Sequence, residues 1–162
     1  KGFQFLIRGL KDLQHEYENL KLVIIGTGPY KKNLEQLIQK YNLLDKVEIH
    51  EKVPRQKLVN YYVNCTLFAL MSKGESSGIS VLEALIARKP VLVTQTYALK
   101  NYVEKGLAIG VSYPPSQDDI HENISLILQN PKLYIPNSFR IPTWDVVVER
   151  LDTLYKSILY AQ

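Results

Sequence analysis

The sequence predicts an α/β fold: a Rossmann-like domain in which helices cover both faces of a parallel β-sheet. Helical and strand patterns alternate along the chain, which favours right-handed crossovers between parallel strands. The apolar runs at residues 22–25 and 91–93 do not alternate with polar residues, as is typical of strands buried on both faces. The length, 162 residues, suits one domain and is too short for two lobes. We therefore treat residues 1–162 as one domain.

The predicted elements follow in chain order. Phe3, Leu6, Ile7 and Leu10 have helical spacing and predict a helix over residues 2–13. The chain begins at Lys1 without a methionine, inside what this pattern indicates is a helix, so we expect a piece of a longer protein. The later helices are predicted over residues 30–41, 55–64, 78–88 and 98–105, and the strands over residues 20–25, 47–50, 67–70, 90–94 and 107–111.

The C-terminal part is punctuated by prolines. A helix is predicted over residues 117–128, followed by a proline-marked segment, 131–142, that we expect to lie as a strap over the surface. Thr143 is the expected N-cap of the last helix. An apolar stripe on that helix is expected to pack on an apolar surface, and it comprises Trp144, Val147, Leu151, Leu154 and Ile158.

Composition excludes several classes of protein. Hydrophobic residues are 46% and charged residues 22%, which is typical of a globular chain and not of a disordered one. The single Cys65 permits neither an internal disulfide nor a thiolate metal cluster, and the three histidines are scattered, so we expect no metal and a cytoplasmic location. The net charge of +4 favours anionic ligands, but the chain lacks the basic stripe of nucleic-acid binders.

Four loops are predicted to share the sheet edge where ligands of parallel α/β proteins bind: residues 26–29, 51–55, 72–78 and 95–97. Loop 72–78 is small and polar, and it leads into a helix whose first N–H groups, at Gly78 and Ile79, have no partner within the helix. Such a turn can bind a phosphate. The alternative is that Ser76 and Ser77 only cap the helix.

Two glutamates flank this turn. Glu75 precedes the helix, and Glu83 lies roughly 8 Å along it from the Gly78 amide at about 1.5 Å per residue. A sugar nucleotide presents hexose hydroxyls, a diphosphate and ribose hydroxyls in the same order, and carboxylates are natural acceptors for hydroxyls. The alternative for Glu83 is an ordinary solvated glutamate. We expect it at the margin of a buried stripe formed by Ile79, Leu82, Leu85 and Ile86.

These residues carry a family resemblance. Residues 75–84, ESSGISVLEA, followed by Lys89-Pro90-Val91, resemble the paired-glutamate signature of the retaining glycosyltransferases of GT-B fold, family four. Lys1-Gly2-Phe3 resembles the start of that family's C-terminal lobe, and residues 26–29 resemble its Gly-x-Gly-Pro turn. The resemblance implies that this chain is the nucleotide-sugar-binding lobe and that an N-terminal acceptor-binding lobe lies outside it.

The resemblance also implies residue roles. Glu75 would contact the transferred hexose, Glu83 would bind the ribose, and Lys1 would neutralise the diphosphate, with Glu75 and Lys1 taking part in catalysis. The backbone at Val53 would recognise the base. An arginine that normally precedes the lysine would lie before the chain begins. The complete implied donor site is Lys1, Gly26, Gly28, Val53, Glu75, Gly78, Ile79 and Glu83.

The sequence departs from the family pattern in places. Ser77 stands where the family has an aromatic residue, Glu51 where it has a glycine, and Asn101 where it has a glutamate. The family's two-glycine loop appears here as residues 95–98, QTYA. These departures predict an unusual fit of the donor.

The activity implied by the resemblance is transfer of a hexose from a nucleotide-diphosphate sugar to a glycan or lipid-linked acceptor, with retention and without a cofactor. The fragment alone is expected to be inactive, and a lipid-linked acceptor would bring peripheral contact with the inner face of the plasma membrane. One alternative is a non-catalytic module that binds a nucleotide or nucleotide sugar. The other, an NAD-binding domain, is disfavoured because Lys31 replaces the third glycine of the dinucleotide fingerprint.

Overall fold

The computed structural model describes residues 1–137, 139, 141 and 143–160, in which helices and strands alternate as predicted. The helices are α1 (Phe3–Glu16), α2 (Lys31–Lys40), α3 (Arg55–Asn64), α4 (Ile79–Ile86), α5 (Tyr97–Glu104), α6 (Gln117–Gln129) and α7 (Trp144–Leu159). The strands are β1 (Leu22–Ile25), β2 (Val47–His50), β3 (Phe68–Leu70), β4 (Val91–Thr94) and β5 (Ile109–Val111). The predicted α/β fold is confirmed.

The strands form two parallel sheets. β1 pairs with β2, with Leu22 opposite Val47, and the second sheet has the order β3-β4-β5. Among the described residues, β1 and β3 do not pair with each other, so each has one edge without a strand partner. Because all these pairings are parallel, the loops that follow the strands of each sheet emerge from one edge of it.

Burial of the strands differs between the sheets. All four residues of β4 are buried, as predicted for a strand covered on both faces. In β1 only Ile24 is buried, so the same prediction is only partly met. The difference follows from pairing, because β4 lies between two strands and β1 has a single strand neighbour.

Helix α1 packs against both sheets. Its Leu6 and Leu13 belong to a hydrophobic cluster that includes Leu92 of β4. Its Ile7 and Leu10 belong to a second cluster with Ile24 of β1. One helix therefore contributes buried side chains to the cores of both sheets.

The start of α1 corrects one expectation. The helix begins at Phe3, so Lys1 lies before it and not inside it. Gly2 is the N-cap, with φ +73°, and a Cβ built there would overlap the Met71 carbonyl. The close approach of Gly2 to the backbone that follows β3 therefore sets where the helix begins and places Lys1 next to the loop after β3.

The C-terminal elements differ most from expectation. Trp144 is 82% exposed and no residue of α7 is buried, so its apolar stripe does not pack on an apolar surface of the described chain. Thr143 occupies the N-cap position, but its side chain makes no capping hydrogen bond. The predicted strap contains a short 3-10 helix, Pro131–Tyr134, and Phe139 packs against the core, whereas Ser138, Arg140 and Pro142 lie outside the described residues.

The packing of α1 on α6 generates a stability prediction. A Cβ at Gly9 would overlap the side chain of Ile120, which is fully buried and has little room to move. Alanine favours a helix by about 1 kcal/mol over glycine, whereas overpacking costs about 1–3 kcal/mol. Because the built Cβ would overlap Cγ2 of Ile120, we expect an overpacking cost near the upper end of this range. Gly9→Ala should therefore lower the free energy of unfolding by about 1–2 kcal/mol, measured by urea denaturation.

The control is Arg8→Ala, an exposed position in the same helix, which should change the free energy of unfolding by less than about 0.5 kcal/mol. A Gly9→Ala variant as stable as the wild type would contradict the close packing of the two helices.

Candidate functional site

The loop that follows β3 is fixed at its start by hydrogen bonds. The Ser72 carbonyl accepts a hydrogen bond from Thr94 Oγ1 at 2.6 Å and another from Thr96 Oγ1 at 2.9 Å. The Ser72 hydroxyl donates to the Gly74 carbonyl at 3.1 Å. Thr94 is fully buried at the end of β4, so the loop is anchored to the most buried strand of the sheet.

Gly78 ends this loop and begins α4. Its φ of +66° is left-handed, and a Cβ built there would lie 3.1 Å from Leu99 Cδ2 and 3.4 Å from the Tyr102 ring. The first hydrogen bond of the helix runs from the Val81 N–H to the Gly78 carbonyl, at 2.8 Å. The N–H groups that precede Val81 therefore have no acceptor within the helix. No side chain caps this helix, so the interpretation of Ser76 and Ser77 as caps is wrong: Gly78 occupies the cap position.

Lys1 and Glu75, 74 positions apart in the sequence, form an ion pair between Nζ and Oε1. The Glu75 side chain is only 13% exposed, whereas that of Lys1 is 57% exposed. A carboxylate withdrawn from solvent needs a charged or hydrogen-bonding partner, and Lys1 provides it. The structure thus brings together the two residues predicted to be catalytic, although their roles stay predictions.

Glu83 lies on α4 and accepts a hydrogen bond from the Tyr62 hydroxyl, 2.9 Å from Oε2. Burial, together with this bond to Glu83, raises the pKa of Tyr62, so the phenol stays protonated at neutral pH and donates. Sequence analysis gave Tyr62 no role toward Glu83.

The buried face of α4 corrects the predicted stripe. Val81, Ala84 and Leu85 are buried, whereas Ile79 and Ile86 are 65% and 61% exposed. The buried side chains pack with residues of β3, β4 and α5, which select this face of an almost entirely apolar helix. Glu83 is half-buried, as expected for a residue at the margin of the packed face.

A basic cavity of about 460 Å³ includes Lys1, the partner of Glu75, in its lining. Gly26 and Gly28 line it, and a Cβ at either glycine would meet nothing within 4 Å. Its charged lining residues are lysines: Lys1, Lys31 and Lys73. Neither Lys31 nor Lys73 was predicted to be a ligand-binding residue, because their positions in the sequence give no signal of a shared cavity.

Glu51 moderates the charge of this cavity. Its Oε1 lies 2.8 Å from Lys31 Nζ, and the hydrogen bond and charge of Lys31 lower the pKa of Glu51. The same contact raises the pKa of Lys31. The residue noted above as a departure from the family pattern therefore neutralises one of the three lysines, while Lys1 is paired with Glu75.

The predicted donor residues are only partly connected. Lys1 links the cavity of Gly26 and Gly28 to Glu75. Val53 is half-buried between β2 and α3. The hydrogen bonds and ion pairs of the described residues join neither Val53 nor Glu83 to Lys1.

The described residues contain no group of three or more His, Cys, Asp or Glu side chains arranged to hold a metal ion. None of their helices combines the length and the hydrophobicity that a bilayer span requires.

Comparisons with known proteins agree on one family. A model of the family described as "Glycosyl transferases group 1" matches residues 1–135. An uncharacterized glycosyltransferase of Haemophilus influenzae is 26% identical over 163 residues, which cover 98% of this chain and 45% of the relative. This chain therefore spans less than half the length of that relative.

Two solved structures share the fold. Anabaena HepE in complex with UDP and glucose has a TM-score of 0.76 at 20% identity, covering 93% of this chain and 44% of that one. The C-terminal domain of a glycosyl transferase group 1 family protein from Francisella tularensis has a TM-score of 0.70 at 22% identity, covering 80% of this chain and 70% of that one.

The geometry at Gly78 predicts a cost for any side chain there. Gly78→Ala combines a left-handed backbone with crowding by Leu99, so we expect a loss of about 2–3 kcal/mol in the free energy of unfolding. Gly106 has the same φ, +66°, with nothing within 4 Å, so Gly106→Ala should cost only about 1 kcal/mol. Chemical denaturation measures both, and equal losses would contradict the crowding at Gly78.

Proposed function

The chain belongs to the glycosyl transferases group 1 family, and we propose that it is the C-terminal, nucleotide-sugar-binding domain of a retaining GT-B enzyme. The complete enzyme would transfer a hexose from a nucleotide-diphosphate sugar to a glycan or lipid-linked acceptor. The Haemophilus relative, of which this chain covers 45%, is long enough to carry a second lobe, and we assign acceptor binding to such a lobe. The single cysteine supports a cytoplasmic setting.

One observation carries this proposal: Glu75 precedes the N-terminus of α4 and Glu83 follows it, and each carboxylate has a hydrogen-bonding partner. Glu75 is paired with Lys1, and Glu83 accepts from Tyr62. A carboxylate, free amides and a second carboxylate match hexose hydroxyls, a diphosphate and ribose hydroxyls in order. We therefore assign Glu75 to the hexose, the amides of Gly78 and Ile79 to the diphosphate, and Glu83 to the ribose.

The charges near α4 support a diphosphate ligand. The helix N-terminus carries the positive end of the helix dipole; Ile79 there is 65% exposed, whereas Gly78 itself is buried. Lys1, which is paired with Glu75, and Lys73, in the loop before α4, line the cavity that also contains Gly26 and Gly28. We assign the turn at Gly26 and Gly28 and the backbone at Val53 to the remainder of the donor site, with Val53 facing the base.

The pairing of Lys1 with Glu75 is compatible with later binding of a sugar-nucleotide donor. In the structure each neutralises the other. A bound diphosphate would offer Lys1 a new anionic partner, and the Glu75 carboxylate would then be free to accept hydrogen bonds from hexose hydroxyls. Lys1 is the more exposed of the two and has the longer side chain, so we expect the lysine to move.

The proposed reaction breaks the bond between the anomeric carbon and the diphosphate oxygen, and the departing oxygen takes the electron pair. The acceptor hydroxyl oxygen bonds to the anomeric carbon on the same face and loses its proton. Negative charge grows on the diphosphate as it leaves, so Lys1 and the N-terminus of α4 would stabilise the transition state more than the ground state. We assign any base that takes the proton to the acceptor lobe, and we expect this chain alone to bind donor without transferring the sugar.

Nucleotide binding tests the assignment of Glu83. We expect the 162-residue chain to bind UDP or GDP, measured by titration calorimetry. Glu83→Gln should weaken that binding by about 10- to 100-fold, because a hydrogen bond to a charged group is worth about 1.5–3 kcal/mol. Glu122→Gln, an exposed position on α6, is the matched control and should leave binding unchanged. If neither nucleotide binds, or both variants behave alike, the assignment is wrong.

The absence of a metal from the proposed mechanism gives a second test. If Lys1 and the helix N-terminus supply the positive charge, binding of the same nucleotide should be equal in EDTA and in added Mg²⁺. Titrations in the two buffers measure this. Binding that appears only with Mg²⁺ would show that the proposed charges are insufficient.

A further inference from the structure

We propose that Tyr62 is a positioning residue that holds the Glu83 carboxylate in the orientation needed to accept the ribose hydroxyls of the donor. The inference deepens the proposed function and rests on it, because it needs Glu83 to contact a ribose. Packing explains the aromatic ring of Tyr62 but not its hydroxyl, and the proposed role explains the hydroxyl.

The side chain of Tyr62 joins α3 to β3 and α4. Tyr62 lies on α3, and its ring packs beside Phe68 of β3, with the ring centroids 5.8 Å apart. Its hydroxyl reaches Oε2 of Glu83 on α4 at 2.9 Å. The ring is half-buried and packs against the core of β3, β4 and α4, so the position of the phenol oxygen is fixed. Its hydrogen bond therefore restrains the carboxylate of Glu83.

The direction of the hydrogen bond is set by chemistry. An ionised carboxylate only accepts hydrogen bonds, so the phenol donates. Burial raises the pKa of Tyr62, which keeps that proton in place at neutral pH. Among the described residues this is the one hydrogen bond to the carboxylate, and it occupies one acceptor position on Oε2. Within that part of the chain, Oε1 and the second position on Oε2 are available to the two hydroxyls of a ribose.

Holding Glu83 has a consequence for affinity. A free glutamate on a helix surface samples many rotamers and must give up that freedom when a ligand binds. A carboxylate already tied to Tyr62 has given it up on folding, so the donor would meet a pre-organised acceptor. The effect is specific to ligands that carry ribose hydroxyls.

The neighbouring tyrosine provides a matched control. The hydroxyl of Tyr61, one position earlier on the same helix, lies 3.0 Å from Nε2 of His50 and makes no hydrogen bond to Glu83. Tyr61→Phe therefore removes a hydroxyl of the same kind from the same helix. Tyr62→Phe keeps the ring that packs on Phe68 and removes only the donor to Glu83.

The experiment uses the 162-residue chain and two probes: UDP or GDP, whichever binds more tightly, and its 2′,3′-dideoxy analogue. Titration calorimetry measures both probes against the wild type, Tyr62→Phe and Tyr61→Phe. We expect Tyr62→Phe to weaken binding of the natural nucleotide by about three- to tenfold, the range for one hydrogen bond. Its binding of the dideoxy analogue should equal that of the wild type, and Tyr61→Phe should match the wild type for both probes.

The outcomes separate this inference from the proposed function. If Glu83→Gln weakens the natural nucleotide but Tyr62→Phe does not, the positioning role is wrong and the ribose assignment stands. If Tyr62→Phe weakens both probes equally, its role is structural and the inference fails. If Glu83→Gln has no effect, or no nucleotide binds, the proposed ribose contact and this inference fall together.

Discussion

The two hydrogen bonds that Thr94 and Thr96 donate to the Ser72 carbonyl are the contacts on which the candidate site depends. They attach the loop after β3 to the end of the most buried strand. From that fixed start the loop carries Glu75 to Lys1, then turns at Gly78 into α4. The direction of α4 in turn places Glu83 next to the tyrosine hydroxyl of α3, so one buried anchor positions both carboxylates.

Local patterns were enough to predict most elements. The bounds of β2, Val47–His50, and α3, Arg55–Asn64, match the prediction. Both elements are marked by residues within or directly beside them, so a short stretch of sequence is enough to locate them. Local patterns did not predict which face of α4 is buried. Its sequence is apolar at nearly every position, so periodicity could not select a face, and packing on β3, β4 and α5 buried Val81 and Ala84 and exposed Ile79.

The candidate site was predictable to the extent that it lies in one segment. Glu75, Gly78 and Glu83 follow one another in a single loop and helix, so their spacing could be read directly. The partners of the two glutamates could not be predicted from spacing: Lys1 is 74 positions from Glu75, and Tyr62 is 21 positions from Glu83. Tertiary folding alone sets such distances, and the same holds for the lysines that share the cavity.

The position of α1 over both sheets links ligand binding to folding cooperativity. Its buried side chains belong to two hydrophobic clusters that Leu20 and Leu22 also contact, so detachment of this one helix would remove packing from both sheets at once. Lys1 and Gly2 stand at the beginning of the same helix. An anion held by Lys1 would therefore stabilise an element that packs on both sheets, and the chain would exchange its amide hydrogens more slowly in both sheets.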